Sequence, residues 1–211
     1  MKDGAVAMTI DSRTALARRG RQLEYFTIVW NSLEGLIAVI SGVFASSVSL
    51  VGFGVDSFIE VTSGAALLWR MSGDADRWER ERREATTLRV VGICFLALAV
   101  YVAYIAIGNL LSRTASAPSA VGIALAAVSL VVMPLLSRAK HRVACGLVSG
   151  AMHADARQTE FCMYLSAILL GGLLLNAVLR LWWADSIAAL LMTPIIAREG
   201  IAGVRRHACC D

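Results

Sequence analysis

Two carboxylates four residues apart, Asp56 and Glu60, lie in the apolar stretch SLVGFGVDSFIEVTSGAALLW. On a helix this spacing projects both from one face, one turn apart. Like charges so placed repel unless a cation or a proton sits between them. That is the chemistry of a divalent-metal site with proton exchange, because carboxylates bind metal when ionised and take up protons when it leaves. A competing account makes them protonated acids bonded to neighbouring helices, or pairs them with an intramembrane base. Arg157 is then the only basic side chain near enough in depth.

A second polar group opens another apolar stretch, HADARQTEFCMYLSA, with His153, Asp155, Gln158, Glu160 and Cys162. Gln158 and Cys162 are again four apart. A carboxamide oxygen and a thiol both ligate cations, and the thiolate favours zinc or cadmium over magnesium or calcium. The competing account of Cys162 is a small apolar filler between helices. A third stretch, YFTIVWNSLEGLIAVISGVFA, adds Asn31 and Glu34. An acidic side chain at membrane depth costs about 2.5–3.5 kcal/mol on insertion scales, so each of these acids demands a reason.

The elements that must position these residues follow from composition. The chain has 211 residues, 57% of them hydrophobic and 17% charged, against about 45–50% apolar and 25% charged in soluble domains. Mean hydropathy is +0.66. A soluble domain of this length cannot hide that much apolar surface, and disorder, collagen, coiled coil and a disulfide scaffold are excluded with it. A helix needs about 20 residues to cross the hydrocarbon. Six runs qualify, roughly 25–45, 48–69, 87–110, 119–137, 154–179 and 184–197, the last being short. None alternates as a barrel strand does. The expected fold is an all-α, six-transmembrane-helix bundle, divided as a segment over 1–21, a six-helix transmembrane domain over 22–200 and a tail over 201–211.

Charge orients the chain. Lys2, Arg13, Arg18, Arg19, Arg21, the loop from Arg70 to Arg89, the Arg138–Lys140–Arg142 cluster, Arg198, Arg205 and Arg206 fall on one side, and only Arg113 and Arg180 on the other. This places both termini in the cytoplasm. The formal charge of +4 therefore belongs to topology, and no nucleic-acid partner is expected. The loop GDADRWERERREA alternates signs at helical spacing, which extends a helix beyond the membrane or simply solvates it. The five cysteines read as free thiols rather than disulfides. The first 21 residues lack the apolar core of a signal peptide. Small residues mark packing faces: Gly35, Ala38 and Gly42 in the first helix, Gly52, Gly54, Ser57, Ser63 and Gly64 in the second, Gly171 and Gly172 in the fifth.

These residues resemble the cation diffusion facilitators, a family that exports divalent metals. SVSLVGFGVDSFIEVTSG is similar to the family's second helix, where small residues lead into D-x-x-x-D, here Asp56-x-x-x-Glu60. HADARQTEFCMYLSA resembles the fifth-helix opening A-D-A-x-H-x-x-x-D: Ala154, Asp155 and Ala156 match, Gln158 stands for His and Cys162 for Asp. WADSIAALLMTPIIAREG is similar to the sixth-helix signature W-x-D-P-x-A-A-L, with Ser186 for Pro, and Asn31 fits the first helix. The likeness covers roughly residues 22–200, closest to a compact bacterial branch lacking the cytoplasmic C-terminal domain.

The resemblance implies a proton antiporter in the bacterial inner membrane, exporting zinc, or else cadmium, cobalt or iron. Asp56, Glu60, Gln158 and Cys162 are its ligands, with Glu34, Asn31, His153, Asp155 and Glu160 as secondary candidates. Partners are the metal, protons and membrane lipid, and a homodimer is compatible. No resident cofactor is expected. The alternative is a membrane metal-binding or regulatory protein that does not transport. An intramembrane enzyme is set aside, since neither HExxH nor GxSxG occurs. His207, Cys209 and Cys210 are candidates for metal capture or lipidation, or simply a tail.

Overall fold

A computed structural model describes residues 10–72, 77–147 and 150–205, and in it every element is a helix. The helices are α1 (Ile10–Ala45), α2 (Val48–Ser72), α3 (Arg77–Ser112), α4 (Ala120–Leu147), α5 (Gly150–Leu179) and α6 (Ala184–Arg205). All six are long and apolar enough to cross a membrane. His207, Cys209 and Cys210 lie outside the described residues.

The helices outrun the apolar runs that announce them. The sixth is not short: its 22 residues rise about 33 Å, enough for the hydrocarbon. The fourth continues to Leu147, so the Arg138–Lys140–Arg142 cluster is helical rather than a loop. The reason is that a basic residue does not break a helix, and only hydropathy falls there. The backbone of α3 likewise begins at Arg77, inside the charged sequence expected to extend a helix.

The six helices pack in three layers of two. The middle layer is α2 with α5; α1 and α4 cover one side of it, and α3 and α6 the other. Lipid supplies no hydrophobic drive between helices, so close approach of backbones does the work. A Cβ on Gly35 of α1 would stand 2.9 Å from the Gly54 carbonyl oxygen of α2, and one on Gly92 of α3 would stand 2.8 Å from that of Gly200 on α6. The first pair fixes an outer layer against the middle one, and the second holds the two helices of the α3–α6 layer to each other.

One end of the bundle is tied shut. Helices α1, α3 and α5 stop there at Ser46, Arg113 and Arg180, each in the left-handed region with φ of 51, 53 and 51°. Asp185 at the start of α6 accepts from the Val48 N–H (2.9 Å), from Ser47 Oγ (2.5 Å) and from Ser49 Oγ. It thereby caps the first turn of α2, whose N–H groups lack partners within the helix. The aspartate of the WADS sequence is thus a structural clamp joining α6 to the α1–α2 turn.

Candidate functional site

Along α5, Asp155, Thr159, Cys162 and Ser166 recur at helical spacing and are all buried. Along α2, Asp56, Ser57, Glu60 and Gly64 do the same. The two polar faces meet in the middle layer. The Cys162 thiol lies 2.7 Å from Glu60 Oε2 and 3.4 Å from Asp56 Oδ2, donating toward both carboxylates. Thr159 Oγ1 donates to the other Glu60 oxygen at 2.8 Å. Asp56 is 3% exposed, Glu60 0% and Cys162 3%.

Gln158 reaches the same place from its own turn. With Asp56, Cys162, Phe95, Ile196 and Glu199 it lines a narrow cleft between the middle layer and the α3–α6 layer. Its Nε2 atom is buried without a hydrogen-bond partner among the described residues. The structure therefore brings Asp56, Glu60, Gln158 and Cys162 together. Glu199 on α6 joins the cleft and feels the charge of Asp56. Sequence reasoning missed it, although it is the acidic residue that closes the WADSIAALLMTPIIAREG run, next to its last residue.

Of the secondary candidates, Glu34 comes closest. It is buried on α1 and accepts from Ser57 Oγ at 3.2 Å, beside Asp56, and its charge couples to Glu60. Asn31, three residues earlier on the same face, is fully buried, and neither end of its amide has a partner among the described residues. The other three stand apart. His153 is half-buried with its ring 5.7 Å from that of His141. Glu160 is half-buried, off the face that carries Thr159 and Cys162. Asp155 is committed elsewhere.

That commitment corrects the identity of the intramembrane base. Arg157 is exposed. The buried cation is Lys140 of α4, its Nζ 2.5 Å from Asp155 Oδ2 and 3.3 Å from Glu24 Oε2. All three side chains are at most 4% exposed. Neither Glu24 nor Lys140 stands out in hydropathy, because each adjoins charged sequence. The signal was periodicity: Glu24, Thr27, Asn31 and Glu34 repeat at spacings of three and four, as do Ser129, Met133, Ser137 and Lys140.

Among the described residues, no three His, Cys, Asp or Glu side chains stand at the spacing of a ready metal cage. The distances say why. Two ligands of a tetrahedral zinc, one sulfur and one oxygen, lie about 3.5 Å apart. Cys162 and Asp56 match that at 3.4 Å, while Cys162 and Glu60, at 2.7 Å, stand closer, as a thiol donating to a carboxylate.

No family model matches the chain. It is similar to an uncharacterized transporter of Methanocaldococcus jannaschii, 26% identical over 178 residues, which covers 82% of this chain and 62% of that protein. By its name, that relative is a transporter. The chain spans less than two thirds of its length.

Proposed function

We propose that this protein is a secondary transporter of cation-diffusion-facilitator type that exports a divalent transition metal, zinc foremost, in exchange for protons. The observation that carries the reading is the Cys162 thiol of α5 set against the Asp56 and Glu60 carboxylates of α2, buried in the middle layer. The relative named as a transporter, over most of this chain, supports transport. The thiol supports zinc or cadmium over hard ions.

In this reading Asp56, Glu60 and Cys162 hold the ion and the Gln158 carboxamide oxygen completes a four-donor shell. Binding displaces the proton that Cys162 shares with the carboxylates, so metal and proton compete for the same atoms. The cleft between the α2–α5 and α3–α6 layers is the path to the ion, and relative movement of those layers opens it to one side and then the other. The Asp185 clamp holds the layers together at the end opposite the arginine-rich one. The protein then works in a bacterial inner membrane with metal, protons and lipid as partners, performs no covalent chemistry, binds no nucleic acid, and is compatible with a homodimer.

The test is zinc movement into sealed proteoliposomes, followed with a trapped zinc dye and a trapped pH dye. Zinc influx with proton efflux supports the reading. Zinc that binds the protein but never reaches the lumen overturns transport and leaves a metal-binding membrane protein.

A further inference from the structure

Arg157 is the base that the buried site leaves unused, and its surroundings give it another task. Helices α4 and α5 touch where Ser137 Oγ donates to the Ala156 carbonyl oxygen at 3.2 Å. The next residue on each helix is an arginine, Arg138 and Arg157, so the two stand at one depth. Both are exposed. Each is turned about 100° past its contact residue, and because the helices run antiparallel, both come to the same outer side of the α4–α5 groove. Arg142, also exposed, follows Arg138 one turn nearer the end of α4. In the groove beside them the His141 and His153 rings lie 5.7 Å apart, tilted by 56°. Like charges four apart on a helix repel, yet no carboxylate among the described residues pairs with Arg138, Arg142 or Arg157. Asp155 belongs to Lys140. Depth identifies the anion that such a cluster calls for. From Ala120, where α4 starts, to Arg138 the helix rises about 27 Å, and from Arg157 to the end of α5 at Leu179 it rises about 33 Å. The hydrocarbon is about 30 Å thick. The arginines therefore stand where the lipid phosphates begin.

We propose that Arg138, Arg142 and Arg157, with the His141–His153 pair between them, bind the headgroup of an anionic phospholipid at the arginine-rich end of the bundle. A guanidinium fork matches two phosphate oxygens at once. Three guanidiniums exceed the charge of a single phosphate, which favours a lipid that carries two, diphosphatidylglycerol. Basic surfaces between membrane helices take such headgroups. The arginine stems lie along the helix flanks while their heads reach the phosphates. Deeper on the same flanks, Val131 and Leu135 of α4 and Tyr164 of α5 are exposed and offer an apolar floor for the acyl chains. A lipid held this way bridges α4 of an outer layer to α5, the helix that carries Cys162, so membrane composition acts on the layer that holds the candidate ion site. That consequence rests on the transporter reading; the lipid site does not.

The experiment is native mass spectrometry of the full chain, incubated with diphosphatidylglycerol, phosphatidylglycerol, phosphatidylcholine or inorganic phosphate. The parental protein is expected to hold one diphosphatidylglycerol at least about tenfold more strongly than phosphatidylcholine. Arg138→Gln combined with Arg157→Gln should abolish that preference; both side chains are exposed, so the fold should survive. Arg198→Gln combined with Arg205→Gln removes two exposed charges from α6 at the same end and should keep the preference. Equal retention of the two lipids by the parental protein overturns the site. A preference that survives in the α4–α5 variant overturns it as well, and so does one lost equally in the α6 variant, since overall charge would then be the cause. Inorganic phosphate retained where no lipid is retained overturns a lipid as the occupant. Zinc movement enters none of these readings, so failure of the transporter reading leaves the lipid test intact.

Discussion

Cys162 on α5 donates its thiol proton to Glu60 on α2 across 2.7 Å, so the two helices of the middle layer are joined by a buried thiol–carboxylate hydrogen bond. A thiol and a carboxylate in such contact compete with any cation that approaches. In the proposed transporter, loading the site would release that proton in the same event.

Asp56→Asn and Glu60→Gln are each expected to lower zinc transport at least about a hundredfold, since each removes a charge-compensating ligand worth several kcal/mol at a desolvated site. Side-chain volume hardly changes, so the protein should still reach the membrane. Proteoliposome uptake, normalised to inserted protein, checks this. Parental rates in both variants would remove the α2 pair from the mechanism.

Coupling to protons is expected to be obligatory. Ligand oxygens and the Cys162 sulfur bind metal only when deprotonated, so an inward proton gradient should drive zinc uphill. An uncoupler added to energised inside-out vesicles should stop accumulation. Accumulation that continues unchanged would point to another driving ion.

The Asp185 clamp is expected to matter for stability rather than for ion choice. Asp185→Ala leaves the Val48 N–H and the hydroxyls of Ser47 and Ser49 without their acceptor in a buried place. Loss of a cap costs about 0.5–2 kcal/mol, and unsatisfied buried groups add to it. A lowered melting temperature in detergent, with zinc preference among the surviving fraction unchanged, is the expected pair of results. A shifted metal preference would place Asp185 in the ion path.

How far the sequence reveals this molecule depends on what each residue is compared with. Asp56, Glu60 and Glu34 stand out because a charge inside an apolar run has no cheap explanation, and the structure places all three on buried faces. Gln158 and Cys162 stand out by their i, i+4 spacing, which a helix turns into adjacency. Lys140 and Glu24 do not stand out, since each lies where an apolar run meets charged sequence and a hydropathy window averages it away. Pairing partners on three helices is a tertiary fact, and so Asp155 read as a neighbour of Gln158 when it belongs to Lys140. The aspartate of WADS was visible as a motif, but its role as a cap on another helix was not, because that contact spans 137 residues of chain.

The sulfur itself gives the sharpest test. If Cys162 is a ligand, the site should prefer zinc and cadmium to manganese and magnesium, because soft sulfur pairs poorly with oxygen-seeking ions. Cys162→Asp keeps an ionisable donor near Glu60 but makes the shell all oxygen and carboxamide. Transport should persist with preference moved toward manganese by about tenfold or more, a difference of roughly 1.4 kcal/mol. Cys162→Ala should weaken zinc transport, since the two carboxylates lose both the ligand and the proton between them. Cys94→Ala is the control; Cys94 is exposed on the outer face of the bundle rather than buried, so its loss should do nothing. Zinc should also slow labelling of Cys162 by a thiol reagent, because a metal-bound thiolate is shielded from attack. A silent alanine variant together with no protection by zinc would make Cys162 a packing residue and leave Glu34, which already faces the α2 pair through Ser57, as the next donor to examine.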